Sequence, residues 1–133
     1  MYMGDTGSQY LGILLAALSI NYLWNPITTQ EVSVSRQLII PLLSFIIPIV
    51  DTTTVVIKRI RKGSSPFVGG RDHTTHHLSY LGLSEKQVAA VIALIAILSS
   101  VIVVYVVSNI KVWSHWHTVI FIAYFLIVFG ILF

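Results

Sequence analysis

The chain has 133 residues; 56 % are hydrophobic, only 10 % are charged, the formal net charge is +3 and there is no cysteine. Soluble domains carry about 25 % charged residues, and disordered chains combine low hydrophobicity with high charge, so this composition excludes both. A disulfide scaffold is excluded as well, and what remains is a single domain immersed in a membrane.

Charged residues divide the chain into four apolar blocks: Thr6 to Gln30, Gln37 to Ile57 with Asp51 as its one charge, Gln87 to Ile110, and Val112 to Phe133. A bilayer-crossing helix needs about 20 residues at 1.5 Å rise each, and every block is that long. None alternates polar with apolar positions, as a barrel strand would. The predicted fold is therefore all-α and polytopic, one domain over 1–133 with about four transmembrane helices at 8–24, 38–57, 87–108 and 112–133. The first stops at Asn25-Pro26, with Tyr22 and Trp24 suited to the interface. The second contains Pro41 and Pro48, which predict a bent or broken helix. Ser84 followed three residues later by Gln87 has capping-box spacing at the start of the third. Trp113 and Trp116 anchor the start of the fourth, with His115 and His117 at the same interface.

Six of the eight basic residues, Lys58, Arg59, Arg61, Lys62, Arg71 and Lys86, lie in the loop 58–86. The positive-inside rule places that loop in the cytoplasm, and four spans then place both termini there. The first residues lack a basic n-region and carry Asp5 instead, so the apolar runs read as spans and not as a signal peptide.

Five acids are weighed. Glu31 reads as solvated surface, Asp72 as a loop charge beside Arg71, and Glu85 as a first-turn carboxylate favouring its helix dipole. Asp5 stands in Gly4-Asp5-Thr6-Gly7-Ser8, before an apolar helix. Two readings stay open there: helix capping by Asp, Thr or Ser, or a phosphate and metal site in which small residues let a ligand approach the backbone. Asp51, a carboxylate inside an apolar span, is a functional candidate by default. The competing reading pairs it with a cation or with the Thr52, Thr53 or Thr54 hydroxyls, and a supporting role behind the reacting groups is favoured. The loop holds His73, His76 and His77 beside Arg71. It reads as a zinc site, a solvated histidine-rich loop, or a phosphate-handling loop with imidazole and guanidinium donors.

Met3-Gly4-Asp5-Thr6-Gly7-Ser8 at the start of a membrane helix resembles the MGD(A/T)GS motif of the polyprenyl-phosphate N-acetylhexosamine-1-phosphate transferases. Ser65-Pro66-Phe67, followed by Gly70-Arg71-Asp72-His73-Thr74-Thr75-His76-His77, resembles the histidine loop of the branch acting on undecaprenyl phosphate with N-acetylglucosamine-1-phosphate. Pro48-Ile49-Val50-Asp51 also resembles the family. Three motifs in order on one face make the resemblance specific over residues 1 to about 86.

The resemblance implies transfer of a sugar-1-phosphate, GlcNAc-1-phosphate above all, from a UDP-N-acetylhexosamine to a polyprenyl phosphate with release of UMP. The setting it implies is cell-wall or lipopolysaccharide biogenesis at the cytoplasmic face of the bacterial inner membrane. It implies Mg²⁺, or Mn²⁺ in its place, at Asp5. It further implies uracil stacking at Tyr2, substrate binding at Gly4 and Arg71, and a catalytic histidine group of His73, His76 and His77. Asp51 supports these groups from behind. Phosphoryl transfer is mainly positioning and charge neutralisation, which suits this set. Membrane lipid, and a second copy or the N-terminal half of the enzyme, are the other expected partners; nucleic acid is not one.

The family's aspartate-rich motif has no counterpart, since no two Asp residues are adjacent. The chain is therefore expected to be a C-terminal portion, with Met1 an internal methionine, and to be inactive alone. Two other readings remain: a small four-helix transporter with Asp51 as its coupling acid, and a non-catalytic membrane subunit.

Overall fold

The computed structural model describes residues 4–24, 33–65, 73–80 and 82–133, apart from the side chains of Asp5 and His76. Every regular element among them is helical. Helix α1 (Gly4–Ser19) continues into a π-helical turn (Ile20–Trp24). It is followed by α2 (Val34–Ser44), α3 (Ile46–Arg61), α4 (Thr74–Tyr80), α5 (Glu85–Asn109) and α6 (His115–Leu132). The all-α membrane architecture follows from α5 and α6, each long and apolar enough to cross a bilayer, with the bent α2–α3 pair as a third candidate. The 25 residues of α5 reach about 37 Å, more than the roughly 30 Å hydrocarbon core. The 16 residues of α1 reach about 24 Å before the π turn lengthens it.

The bend between α2 and α3 is 82° and falls at Phe45. Pro41 lies inside α2 without ending it, and the Phe45 N–H still reaches the Pro41 carbonyl at 3.0 Å. Pro48 supplies a local reason for the break. Its ring occupies the space of the carbonyl four residues earlier, that of Ser44, and it offers no N–H in return. Helix α2 therefore stops at Ser44. Restarting at Ile46 puts Pro48 in a first turn, where an N–H has no helical partner anyway. Of the two prolines expected to bend this segment, Pro48 is the one that stands at the break.

The bend is packed. Ile40, Leu43, Ile46 and Val50 are each 1 % exposed or less and meet Val106 of α5 and Leu132 of α6. Ser99 and Tyr124 share a 2.8 Å hydrogen bond that joins α5 to α6. At the start of α5 the Ser84 N–H donates to Gln87 Oε1 at 2.8 Å and the Gln87 N–H to Ser84 Oγ at 3.4 Å, the expected capping box. Helix α6 begins at His115, and Trp113 is folded back: its indole N–H donates to Thr118 Oγ1 at 2.9 Å and its ring lies against Phe121. Trp116 points outward as expected of an interfacial anchor.

Helix α1 differs. No described side chain of it is buried. It joins the bundle through its π turn, where Leu23 packs on the core and Gln37 Nε2 donates to the Trp24 carbonyl at 3.1 Å.

The segment 58–86, expected as a loop, is partly helical. Helix α3 runs on to Arg61 and ends where Gly63, at φ +69°, donates to the Ile60 carbonyl while the Ser64 N–H reaches the Arg59 carbonyl at 2.9 Å. Helix α4 ends the same way: Gly82, at φ +92°, donates to the Ser79 carbonyl at 3.0 Å and the Leu83 N–H to that of Leu78 at 3.4 Å. Both are Schellman ends, which need a left-handed residue that glycine supplies without strain.

Candidate functional site

The site is built where α3 meets the first turn of α4. The first N–H groups of a helix have no partner within it and carry partial positive charge. Asp51 of α3 supplies the missing acceptor. Its Oδ1 accepts the Thr74 backbone N–H at 2.7 Å and the Thr74 hydroxyl at 2.6 Å. Its Oδ2 lies 2.8 Å from His73 Nδ1. The neighbouring threonines expected beside Asp51 are not the partners it uses. Thr53 donates back to the Ile49 carbonyl at 2.7 Å, and Thr54 is buried in the core with its hydroxyl unpartnered. Thr52 and Thr53, one and two residues on, do not face Asp51 across the helix, and Thr54 is buried in the core; the carboxylate turns toward α4 instead.

His73 precedes α4 as its cap, and its carbonyl accepts the His77 N–H at 3.3 Å. Its side chain is 53 % exposed against 30 % for Asp51, so the imidazole reaches outward from a more sheltered carboxylate. His77, one turn on, is half-buried, with a buried Nδ1 that has no hydrogen-bond partner. Thr74 and Leu78 form the buried face of α4. The three histidines expected to act as one group are thus not equivalent: His73 is engaged with Asp51, His77 is not, and the side chain of His76 lies outside the described residues.

Two cavities open beside this junction. One, of about 270 Å³, is lined by Asp51, Thr74 and Thr75 over Ile47, Pro48, Ile92 and Leu132. The other, of about 520 Å³, runs between α4 and α5 and shares Thr75 and Ile92 with the first. Their walls are mostly apolar; Asp51, Thr74 and Thr75 are the polar residues of the first and Thr75, Ser79 and Glu85 those of the second. The basic end of α3 lies close by: Lys58 Nζ and the Arg61 guanidinium sit 5.3 and 5.4 Å from the Phe133 ring centroid.

Gly4 begins α1 at φ +65°, a conformation that strains any other residue, and nothing lies within 4 Å of where a Cβ would stand. Tyr2, Glu31, Arg71 and Asp72 lie outside the described residues, as does the Asp5 side chain. Among the described residues no group of three His, Asp or Glu side chains is arranged to hold a metal ion, and both Asp51 oxygens are already occupied. The zinc reading of the histidine segment gains no support from those residues.

Thr74 is the site residue that sequence reasoning missed, together with the helix it begins. The signal was present in Leu78…Gly82-Leu83, the spacing of a Schellman end.

No family model matches the chain, and no solved structure matches it. Curated proteins do. The chain is 31 % identical over 129 residues, 97 % of its length, to a probable undecaprenyl-phosphate N-acetylglucosaminyl 1-phosphate transferase of Bacillus subtilis, covering 33 % of that protein. It is 31 % identical over 114 residues to the undecaprenyl-phosphate alpha-N-acetylglucosaminyl 1-phosphate transferase of Haemophilus influenzae, 76 % of this chain and 29 % of that one. The enzyme of the same name from Escherichia coli K12 is 30 % identical over 98 residues, 74 % of this chain and 25 % of that one. The chain thus spans between a quarter and a third of these relatives.

Proposed function

We propose, for a chain that is homologous to a portion of the undecaprenyl-phosphate N-acetylglucosaminyl 1-phosphate transferases, that it forms the sugar-phosphate-handling part of such an enzyme. The reaction is transfer of N-acetylhexosamine-1-phosphate, GlcNAc-1-phosphate foremost, from a UDP-sugar to undecaprenyl phosphate. An oxygen of the carrier phosphate attacks the sugar-bearing phosphorus, the bond to the bridging oxygen breaks, and UMP leaves. The observation that carries this reading is the pinning of the His73–His77 turn to Asp51, in a chain aligned along 97 % of its length with one such transferase.

In this reading His77, His76 and Arg71 donate to the diphosphate, Tyr2 stacks on the uracil, and Gly4 lets the substrate approach the backbone. Catalysis of this kind rests on positioning and on neutralising charge as the bridging bond breaks. The described residues do not by themselves hold a divalent cation. Mg²⁺, or Mn²⁺ in its place, belongs to the proposal through Asp5, with substrate phosphates supplying further ligands, and no step is routed through it. Its protein partner is the rest of the enzyme or a second copy.

The test is UMP release from UDP-GlcNAc in membranes containing the complete enzyme that carries this chain. Release that depends on added undecaprenyl phosphate supports the reading. Its absence, together with an ion flux abolished by Asp51→Asn, selects the transporter. We place the site at the cytoplasmic face of the bacterial inner membrane because the basic segment lies there by the positive-inside rule. Ser64→Cys is then shielded from an impermeant thiol reagent in intact cells and Thr28→Cys reacts; the reverse pattern overturns the orientation.

A further inference from the structure

We propose that Asp51 is a positioning residue that fixes His73 in its Nδ1–H tautomer and so presents a bare Nε2 outward as a proton acceptor. An ionised carboxylate offers acceptors only. With Oδ2 at 2.8 Å from His73 Nδ1, the shared hydrogen must come from the imidazole. A neutral imidazole carries one N–H, so Nε2 is left with a lone pair. The carboxylate is not free to rotate away, because Thr74 holds Oδ1 through both its backbone N–H and its hydroxyl. The exposure of His73 and the shelter of Asp51 place the acceptor nitrogen on the open side of the pair. His77 is different, with no acceptor at its buried Nδ1.

The inference rests on the transferase reading only in saying what Nε2 meets. There it accepts the proton of a phosphate monoester in its acid form. The O–H bond of the phosphate breaks, its electron pair stays on oxygen, and the proton moves to Nε2, leaving an imidazolium beside the Asp51 carboxylate. The resulting dianion is the stronger nucleophile. His73 is thereby separated in role from the histidines that donate to the diphosphate.

The test is ¹⁵N NMR of the histidine-labelled chain in lipid nanodiscs, above the pH at which imidazole titrates, with His73→Gln assigning the resonance. The parent should show His73 protonated at Nδ1. In Asp51→Asn the amide oxygen stays with Thr74 and the NH₂ group faces His73, so the tautomer should invert to Nε2–H. A parent with Nε2–H, or the same tautomer in both proteins, overturns the proposal. If the Thr74 amide signal shows α4 released in that variant, Thr74→Val decides: it keeps the carboxylate and the backbone N–H, and must keep Nδ1–H. In the complete enzyme, Asp51→Asn should lower kcat by about 100-fold, the scale of losing a general base, with the KM for UDP-sugar changed less than about threefold. An equal loss in kcat/KM carried by KM overturns the positioning role. Failure of the parent to release UMP bears on the transferase reading alone, because the tautomer is read without turnover.

Discussion

Two aspartates face opposite circumstances in this chain. Asp51 lies where two helices meet, with two donors of Thr74 and the Nδ1 of His73 converging on it. Asp5 begins a helix with no buried described side chain, joined to the rest through the π turn Ile20–Trp24. The first acid is held within the fold, where it ties α4 to α3 through Thr74 and meets His73. The second stands on a helix around which little of the described chain is packed. A carboxylate inside an apolar segment invites a direct catalytic reading; here the better-connected acid acts through the residues it holds.

The sharpest way to break that contrast is to remove each charge in the complete enzyme. Asp5→Asn keeps size and hydrogen bonding but removes the charge a divalent cation needs. Turnover should fall by about 100-fold or more, the scale of losing a strong electrostatic contact in the transition state. Near-normal UMP release at saturating Mg²⁺ would return Asp5 to helix capping and erase the contrast.

The histidines come next. His77→Ala should weaken transition-state stabilisation by about 2–4 kcal/mol, read as kcat/KM for UDP-GlcNAc. Zinc measured in the same preparations should be substoichiometric in parent and variant alike. Stoichiometric zinc in the parent, lost on mutation, would replace the phosphate reading with a structural metal site.

How much of this could be read from sequence depended on distance along the chain. The Ser84–Gln87 box spans three residues, and its chemistry is local, so spacing alone located the start of α5. The α2–α3 bend was legible because Pro48 acts on a carbonyl only four residues away. The Asp51–Thr74 pairing joins residues 23 apart in sequence, and nothing at either end names the other. Helix α4 was hidden for a second reason. At seven residues with one buried apolar side chain, Leu78, it is too short to show helical periodicity, and its composition reads as loop. The roles of Tyr2 and Arg71 rest on motif resemblance, since both lie outside the described residues.

Stability measurements sharpen the comparison without turnover. Asp51→Ala removes the acceptor for the Thr74 amide and hydroxyl and leaves a buried threonine unsatisfied, a cost of about 1–3 kcal/mol. Hydrogen exchange at the Thr74 amide should rise accordingly, while amides of α5 stay protected. Asp5→Ala, by contrast, should leave exchange throughout α3–α6 unchanged. Uniform loss of protection in the Asp51 variant would mean that the carboxylate supports the whole bundle and not α4 alone.

The smallest effect is expected at the bend itself. Pro48→Ala restores an N–H and removes the ring that displaced the Ser44 carbonyl, so the local reason for breaking the helix disappears. The packing reason does not. Straightening α2–α3 would pull Ile40, Leu43, Ile46 and Val50 out of contact with α5 and α6, and all four are now essentially buried. Burying one such side chain contributes about 1.5–3 kcal/mol, so four together outweigh the one or two backbone hydrogen bonds that a continuous helix would gain at about 1 kcal/mol each. The bend should therefore persist, with a stability change below about 1 kcal/mol. Spin labels at Val34 and Ile60, both on exposed positions at opposite ends of the pair, report its angle as a distance. An unchanged distance in Pro48→Ala places the bend in the packing of the bundle; a longer one places it in the proline. In the second case Asp51 would also be carried away from Thr74, and the exchange rate of that amide would rise with the distance.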